Sequence, residues 1–137
     1  MAFVVDASLA ATWFLPDEAD PATAALGEDA ARHPPVVPSL FLHEMRSLLI
    51  GAARRGRASR DVILRQLEVV ERLYRRNAGA GDGREIALLA FKHGLTTYDA
   101  TYLALALDEG LPLATLDKAL AAAARAEKVP ILGPLAP

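Results

Sequence analysis

The sequence predicts an α/β domain in which helices cover both faces of a central parallel sheet, and three observations predict it. Short apolar runs such as Phe3–Val5 and Leu113–Leu116 alternate with longer segments of helical character. Hydrophobic residues make up 53% of the chain and charged residues 23%, so disorder is excluded and a sizeable core can form. The 137 residues show no internal repeat or domain boundary, so a single domain over 1–137 is expected.

The first half of the chain predicts helices that begin at capping residues or prolines and end at a proline or glycine. In chain order it begins with the strand Phe3–Val5, a helix from Ala7 to Phe14 closed by Pro16, and a helix from Pro21 to about Arg32. A proline-bounded connection or very short strand follows over 34–38. The next helix is capped by Ser39, runs to about Arg55 and is broken by Gly56, and a further helix starts at Ser59.

Glycines separate the elements of the second half. Three of them between Asn77 and Gly83 predict a mobile loop, and their spacing does not match a nucleotide-binding loop. The elements that follow are a helix from Arg84 to His93 stopped by Gly94, a helix Tyr98–Asp108 capped by Thr97 and ended by Gly110, a strand Leu113–Leu116, a helix from Asp117 to about Glu127, and a last strand Val129–Leu132.

The composition excludes several classes of protein. With no cysteine, the chain has no disulfide, thiol nucleophile or cysteine-ligated metal site. The longest stretch without Asp, Glu, Lys or Arg runs over 33–43, too short to span a membrane. Because the first basic residue is Arg32, no signal peptide is expected, and we expect a soluble cytoplasmic domain.

Basic residues are concentrated in one block. Residues 46–76 contain nine arginines and three acids, whereas residues 1–45 contain one arginine and seven acids. Such a block allows an anionic partner without requiring one. Its arginines are Arg46, Arg54, Arg55, Arg57, Arg60, Arg65, Arg72, Arg75 and Arg76.

Four acids stand in positions that suggest a site. Asp6 and Asp117 each lie where a core strand gives way to a helix, so each is either an N-cap or a ligand at the carboxyl edge of the sheet. Glu44 and Asp99 lie on apolar stripes of their helices, where a carboxylate needs a partner. A buried salt bridge, with Arg46 for example, is one explanation, and a shared metal is the other.

The combination of the four acids is more informative than any one of them. Carboxylates that converge on one pocket repel each other unless protons or cations neutralise them. An all-oxygen site favours Mg²⁺ or Mn²⁺, and such ions act together with substrate phosphates, as in two-metal phosphodiester hydrolysis.

Four segments of the chain resemble the PIN-domain family, and most closely its VapC-type toxins of bacterial and archaeal toxin–antitoxin pairs. The resemblance spans essentially the whole chain, with the acids in the family's order. The segments are Val4–Ser8, Pro38–Glu44, Gly94–Ala106 (Gly-Leu-Thr-Thr-Tyr-Asp-Ala-Thr-Tyr-Leu-Ala-Leu-Ala) and Leu113–Asp117.

The resemblance implies a three-layer α/β/α domain with Mg²⁺- or Mn²⁺-dependent endoribonuclease activity. It also implies a cognate VapB-like antitoxin and a homodimer. Asp6, Glu44 and Asp99 match the family's core acids, and Asp117 matches a fourth, more variable one. The resemblance further implies supporting hydroxyl groups at Ser8 and Thr115; at Ser47 this chain departs from the family's usual Asn, which predicts weaker metal affinity or activity.

The corresponding mechanistic hypothesis assigns one ion chiefly to Asp6 and Asp99, where it activates a water that attacks the phosphate. A second ion, helped by Glu44 or Asp117, stabilises the leaving 3′-oxygen and leaves 5′-phosphate and 3′-hydroxyl ends. No histidine is needed as a base. His33, His43 and His93 are interpreted as surface or capping residues.

Two alternatives from other classes stay open. In a phosphoaspartyl protein, Asp6 would be the residue that is phosphorylated. A phosphatase of that kind, however, needs a second Asp at the position where this chain has Ser8. A catalytically silent PIN-like module would bind RNA or a protein without cutting.

Two interpretations of the arginine block stay open. It contacts RNA phosphates, or it is a surface that faces solvent, an antitoxin or a second copy of the chain. Trp13 and Phe14 are interpreted as core or interface residues rather than base-stacking platforms.

Overall fold

A five-stranded, all-parallel sheet forms the centre of the computed structural model, which describes residues 2–74 and 76–137. Its order is β3-β2-β1-β4-β5, and Val4 of the central strand pairs with Val36 on one side and Leu113 on the other. The strands are β1 (Val4–Val5), β2 (Val36–Val37), β3 (Arg76–Asn77), β4 (Leu113–Ala114) and β5 (Ile131–Leu132).

Helices flank the sheet and bury its apolar residues, so the predicted α/β/α class with a parallel sheet is confirmed. Short 3₁₀ turns at Ala11–Trp13 and Pro16–Glu18 lead from the first helix to the second. The helices are α1 (Ala7–Ala10), α2 (Pro21–Arg32), α3 (Leu40–Arg54), α4 (Arg60–Leu73), α5 (Gly83–His93), α6 (Thr97–Glu109) and α7 (Lys118–Ala126). None of the helices described is long and apolar enough to cross a membrane.

Two predicted caps and one predicted loop are wrong in detail. Ser39 has helical backbone angles and its side chain caps nothing, while its carbonyl oxygen accepts a hydrogen bond from Tyr74 at 2.9 Å. Thr96, not Thr97, caps α6 by accepting from the backbone N–H of Asp99 at 3.1 Å. The loop predicted over 77–83 is shorter at both ends, because Asn77 belongs to β3 and Gly83 begins α5. β3 is an exposed edge strand without the apolar pattern that marks a strand.

The helix predicted from Ala7 to Phe14 is also shorter than expected. Only Ala7–Ala10 is α-helical, and the chain then tightens into the 3₁₀ turn before Phe14. The helices that begin at Pro21 and after Ser59 are confirmed, as is the stop at Gly94, which adopts φ +64°.

The chain order of the strands places a crevice at the carboxyl edge of the sheet. From β1 the chain builds β2 and β3 on one side and then crosses to β4 and β5 on the other. In such sheets the connections after the two strands at the reversal lead away from each other, which leaves a groove open for a ligand. The residues that follow β1 and β4 therefore lie beside this groove.

Candidate functional site

The four predicted acids line one cavity of about 670 Å³ at this edge of the sheet. Asp6 follows β1 directly, and Asp117 lies between β4 and α7. Glu44 projects from the middle of α3, and Asp99 from the first turn of α6. Residues far apart in the sequence are thus brought together by the sheet order and by two helices that flank it.

Asp6 is the most constrained of the four. Its side chain is buried, and its Oδ1 accepts from the backbone N–H of Leu9 at 3.1 Å and from Ser8 Oγ at 2.8 Å. Its Oδ2 accepts from Thr115 Oγ1 at 2.5 Å. Asp6 and Asp117 both cap helices, so the N-cap interpretation holds for each, and both also face the cavity.

Two hydroxyl groups join the ends of β1 and β4. Thr115 Oγ1 donates to Asp6 and accepts from the backbone N–H of Asp117 at 2.9 Å. Ser8 Oγ donates to Asp6 and accepts from the backbone N–H of Leu116 at 3.2 Å. Since each hydroxyl uses its donor and an acceptor position, the two together hold Asp6 in one orientation.

Replacing Thr115 by valine is expected to lower the free energy of unfolding by about 2–3 kcal/mol, because it leaves a buried carboxylate oxygen and a backbone N–H without partners. Thr115→Ser keeps the hydroxyl and should lose less. Thr101→Val is the matched control, since that hydroxyl bonds only to a carbonyl oxygen of its own helix. Chemical denaturation measures all three, and equal losses in Thr115→Val and Thr101→Val would contradict the role of this bond.

Glu44 and Asp99 are half-buried at the cavity wall rather than inside the core. Glu44 Oε1 accepts from Tyr102 Oη at 2.7 Å. Burial and the charge of Glu44 raise the pKa of Tyr102, so its hydroxyl stays protonated and donates. The salt-bridge explanation fails within the described residues: neither acid pairs with a base, and Arg46 lies 3.6 Å from Glu71 instead.

The cavity concentrates negative charge without a matching cation. Burial, and to a lesser degree the charge of Asp99, raise the pKa of Asp6 to about 6. Burial followed by Asp99 raises the pKa of Glu44, and burial followed by Asp117 raises the pKa of Asp99. Among the described residues that line the cavity there is no lysine or arginine. Asp99 is therefore the acid through which the other three are electrostatically linked.

The donor set fits a hard divalent cation. In the part of the chain that the structure describes, no group of three or more His, Asp or Glu side chains could hold an ion by itself. Mg²⁺ does not require such a cage, because it keeps several waters and binds one or two carboxylates together with substrate phosphates. A divalent cation would also offset the burial and the repulsion that raise the pKa values of Asp6, Glu44 and Asp99.

The structure adds cavity residues that the sequence interpretation missed, and it also places the predicted Ser47 there. His43 is exposed, as predicted, but it also lines the cavity beside Glu44. Ser47 lies on the same wall, exposed, three residues after Glu44. His43 follows Leu40 by three residues and precedes Ser47 by four, and this helical spacing was the signal that could have placed it on this wall. The remaining lining residues are Ala7, Ser8, Leu40, Leu48, Tyr98 and Tyr102.

The other two histidines lie elsewhere. His33 ends α2 and is exposed, as expected of a capping or surface residue. His93 departs from that interpretation, because its Nε2 lies 2.7 Å from Glu127 Oε2 in a partly buried pair. Lys92 Nζ contacts the same carboxylate oxygen at 2.7 Å.

Parts of the arginine block are neutralised. Arg57 binds Asp17 through two 2.9 Å hydrogen bonds and lies 3.5 Å from Glu18, so it is not free for a phosphate. Arg54 and Arg55 are exposed. Arg75 lies outside the described residues.

Trp13 and Phe14 have the structural role that was expected of them. Phe14 is buried, and Trp13 Nε1 donates to the carbonyl oxygen of Thr23 at 2.8 Å.

Comparison with known proteins gives consistent results. A family model described as "PIN domain" matches residues 3–126. Ribonuclease VapC3 of Pyrobaculum aerophilum is 35% identical over 136 residues, which cover 96% of this chain and 98% of that protein. The crystal structure of PAE2754 from the same organism has a TM-score of 0.70 at 29% identity, covering 90% of this chain and 79% of that one. FitAcB from Neisseria gonorrhoeae, at 16% identity and a TM-score of 0.66, shares the fold over 98% of both chains.

Proposed function

Because the chain belongs to the PIN-domain family, we propose that it is a VapC-like endoribonuclease toxin that depends on Mg²⁺ or Mn²⁺. The observation that carries this proposal is the convergence of four carboxylates from four segments on one cavity without a lysine or arginine. The relative that is similar over nearly its whole length is named a ribonuclease, which supports RNA as the substrate.

The roles of the acids follow from how tightly each is held. Asp6 is oriented by three hydrogen bonds, so it would hold an ion in a fixed place, with Asp99 across the cavity as the second ligand. Glu44, oriented by Tyr102, or Asp117 would help to hold a second ion. A divalent cation, when bound, supplies Lewis-acid chemistry that withdraws charge from a phosphoryl oxygen and makes water more acidic.

The placement of the acids disfavours the phosphoaspartyl alternative. A phosphatase of that kind needs a second Asp where this chain has Ser8, whose hydroxyl donates to Asp6 instead. The phosphoaspartyl alternative also gives no use for Glu44 and Asp99 on the facing helices. Hydrolysis of a phosphodiester uses all four carboxylates, and the expected products carry 5′-phosphate and 3′-hydroxyl ends.

The partners belong to the same proposal. We expect a VapB-like antitoxin to neutralise the activity, a homodimer to form, and the protein to act in the cytoplasm. Ser47, whose side chain makes no hydrogen bond within the described residues, is the feature that favours the alternative of a PIN-like module that binds RNA or protein without cutting.

The test is cleavage of total RNA by the purified protein in Mg²⁺ or Mn²⁺, with EDTA and Asp6→Asn as controls. The expected result is cutting that needs the ion, disappears in the variant and leaves 5′-phosphate ends. Cutting that persists in EDTA or in Asp6→Asn points to a contaminating nuclease and contradicts the proposal. Ion-independent RNA binding without cutting would instead support the non-cutting module.

A further inference from the structure

Tyr98 differs from the other tyrosines of the chain. Tyr74 and Tyr102 each donate their hydroxyl, to Ser39 O and to Glu44, and Tyr102 is only 1% exposed. Tyr98 is 60% exposed, and within the described residues its hydroxyl has no hydrogen-bond partner. Nevertheless its ring lines the carboxylate cavity, one residue before Asp99. A large aromatic ring is thus left in solvent beside the acids.

The cavity has an apolar side as well as an acidic one. Leu40 and Leu48 lie one helical turn before and after Glu44 on α3, and both line the cavity. Leu48 is 39% exposed. Tyr98 contributes the ring from α6. Such a surface offers a flat apolar group, such as the base of a nucleotide, a contact beside the acids.

The negative charge of the cavity limits the ways in which it can bind RNA. The phosphates of RNA and the carboxylates repel each other, and no lysine or arginine of the described lining residues offsets this repulsion. Stacking of a base on an aromatic ring is not opposed by it, because the contact is between uncharged π faces. The exposed ring of Tyr98 is the larger of two exposed rings in this cavity that can provide such a contact, the other being the imidazole of His43.

We infer that Tyr98 is a base-stacking residue that positions the nucleotide next to the phosphate to be cut. This inference rests on the proposed function, since it takes RNA as the substrate. The base must be unpaired, because bases within a duplex stack on one another and leave no face for a protein ring.

Other aromatic side chains do not fit this role. Phe91 is 87% exposed but does not line the cavity. Trp13 and Phe14 also lie outside it, and Trp13 packs closely against Gly27. Tyr102 lines the cavity, but it is buried and its hydroxyl is bound to Glu44.

The test measures binding of a short single-stranded RNA that carries 2-aminopurine, whose fluorescence falls when it stacks. The Asp6→Asn background keeps the RNA intact, and Asp6 is buried whereas the side chain of Tyr98 is exposed. Tyr98→Leu keeps an apolar side chain without a ring and is expected to weaken binding about 5- to 150-fold, which corresponds to the loss of one base stack. Tyr98→Phe should bind within about twofold, since the π face remains.

Three controls separate the outcomes. Phe91→Leu removes an exposed ring outside the cavity and should change nothing. The same RNA as a duplex should bind Tyr98→Leu and its parent equally. In the otherwise wild-type enzyme, Tyr98→Leu should raise KM more than it lowers kcat.

Equal binding and equal quenching in Tyr98→Leu and the parent would overturn the stacking role while leaving the nuclease proposal intact. Equal losses in Tyr98→Phe and Tyr98→Leu would also overturn it, because the hydroxyl would then be the contact. Absence of RNA binding and cleavage by the proteins that retain Tyr98 would instead overturn the proposed function. Melting temperatures of the Tyr98 variants close to that of the parent exclude misfolding.

Discussion

Asn in place of Asp99 is expected to lower ion-dependent RNA cleavage by at least about 100-fold, because even groups that only orient a metal ligand are worth about 10- to 100-fold. Burial is the largest cause of the raised pKa of Asp6, Glu44 and Asp99; beyond burial, the charge of Asp99 raises the pKa of Asp6 and of Glu44, and the charge of Asp117 raises the pKa of Asp99. Removing its charge therefore weakens every pair of acids that could share an ion. The side chain keeps its size, so the loss reports charge and coordination.

The matched control for this variant is Asp61→Asn. Asp61 and Asp99 each lie in the first turn of a helix, α4 and α6 respectively. Asp61, however, is exposed and lies outside the cavity. The same chemical change at a similar helical position should leave cleavage within about twofold, as expected of an exposed surface substitution. Initial rates on a defined RNA, with both proteins purified in parallel, measure the difference. Retention of wild-type cleavage by Asp99→Asn would rule out its assignment as a metal ligand.

The second large effect concerns the difference in the free energy of unfolding between Asp99→Asn and the wild type, which is expected to change sign when divalent ions are added. Without divalent ions, Asp99→Asn is expected to be more stable than the wild type by about 1–2 kcal/mol, as is common when a functional site gives up a destabilising charge. Addition of Mn²⁺ or Mg²⁺ should then reverse the order. An ion at 100 times its Kd stabilises the protein that binds it by about 2.7 kcal/mol, and the variant should gain little.

The difference in the free energy of unfolding between Asp99→Asn and the wild type depends on pH, because folding raises the pKa values of Asp6, Glu44 and Asp99. A carboxyl whose pKa is raised by folding contributes stability at low pH, and this contribution is lost as the pH rises through the folded-state pKa. For Asp6 the loss falls between 3.8 and about 6. Asp99 and Glu44 titrate in the same direction. The advantage of Asp99→Asn in EDTA should therefore be small near pH 4 and largest above pH 6.

Chemical denaturation in EDTA at several pH values, followed by thermal melts with and without Mn²⁺, measures both effects. Asp61→Asn again serves as the control and should follow the wild type. An advantage of Asp99→Asn that does not grow with pH would contradict mutual repulsion as its cause. An equal ion-induced rise in melting temperature in both proteins would place the ion away from Asp99.

Local sequence was sufficient for much of the fold. The helix starts at Pro21 and after Ser59 and the stop at Gly94 depend on hydrogen bonds and backbone angles within a few residues, and all three are confirmed. Ser39 shows the limit of this reasoning. A serine before an apolar helical segment predicts a cap, but here the backbone continues the helical conformation and the carbonyl is taken by Tyr74, 35 residues away.

For the candidate site, the sequence by itself predicted the four acids and the need of Glu44 and Asp99 for a partner. Buried strands are continuous apolar runs and apolar helical stripes repeat every 3.6 residues, so both patterns can be recognised without coordinates. The tertiary structure alone decided that Thr115 bonds to Asp6 across 109 residues, that Arg46 does not neutralise Glu44, and that an exposed ring stands beside Asp99. These contacts depend on the order of the strands and on the packing of α3 and α6 against them. Sequence periodicity specifies which face of an element is apolar, but not which distant side chain that face will meet.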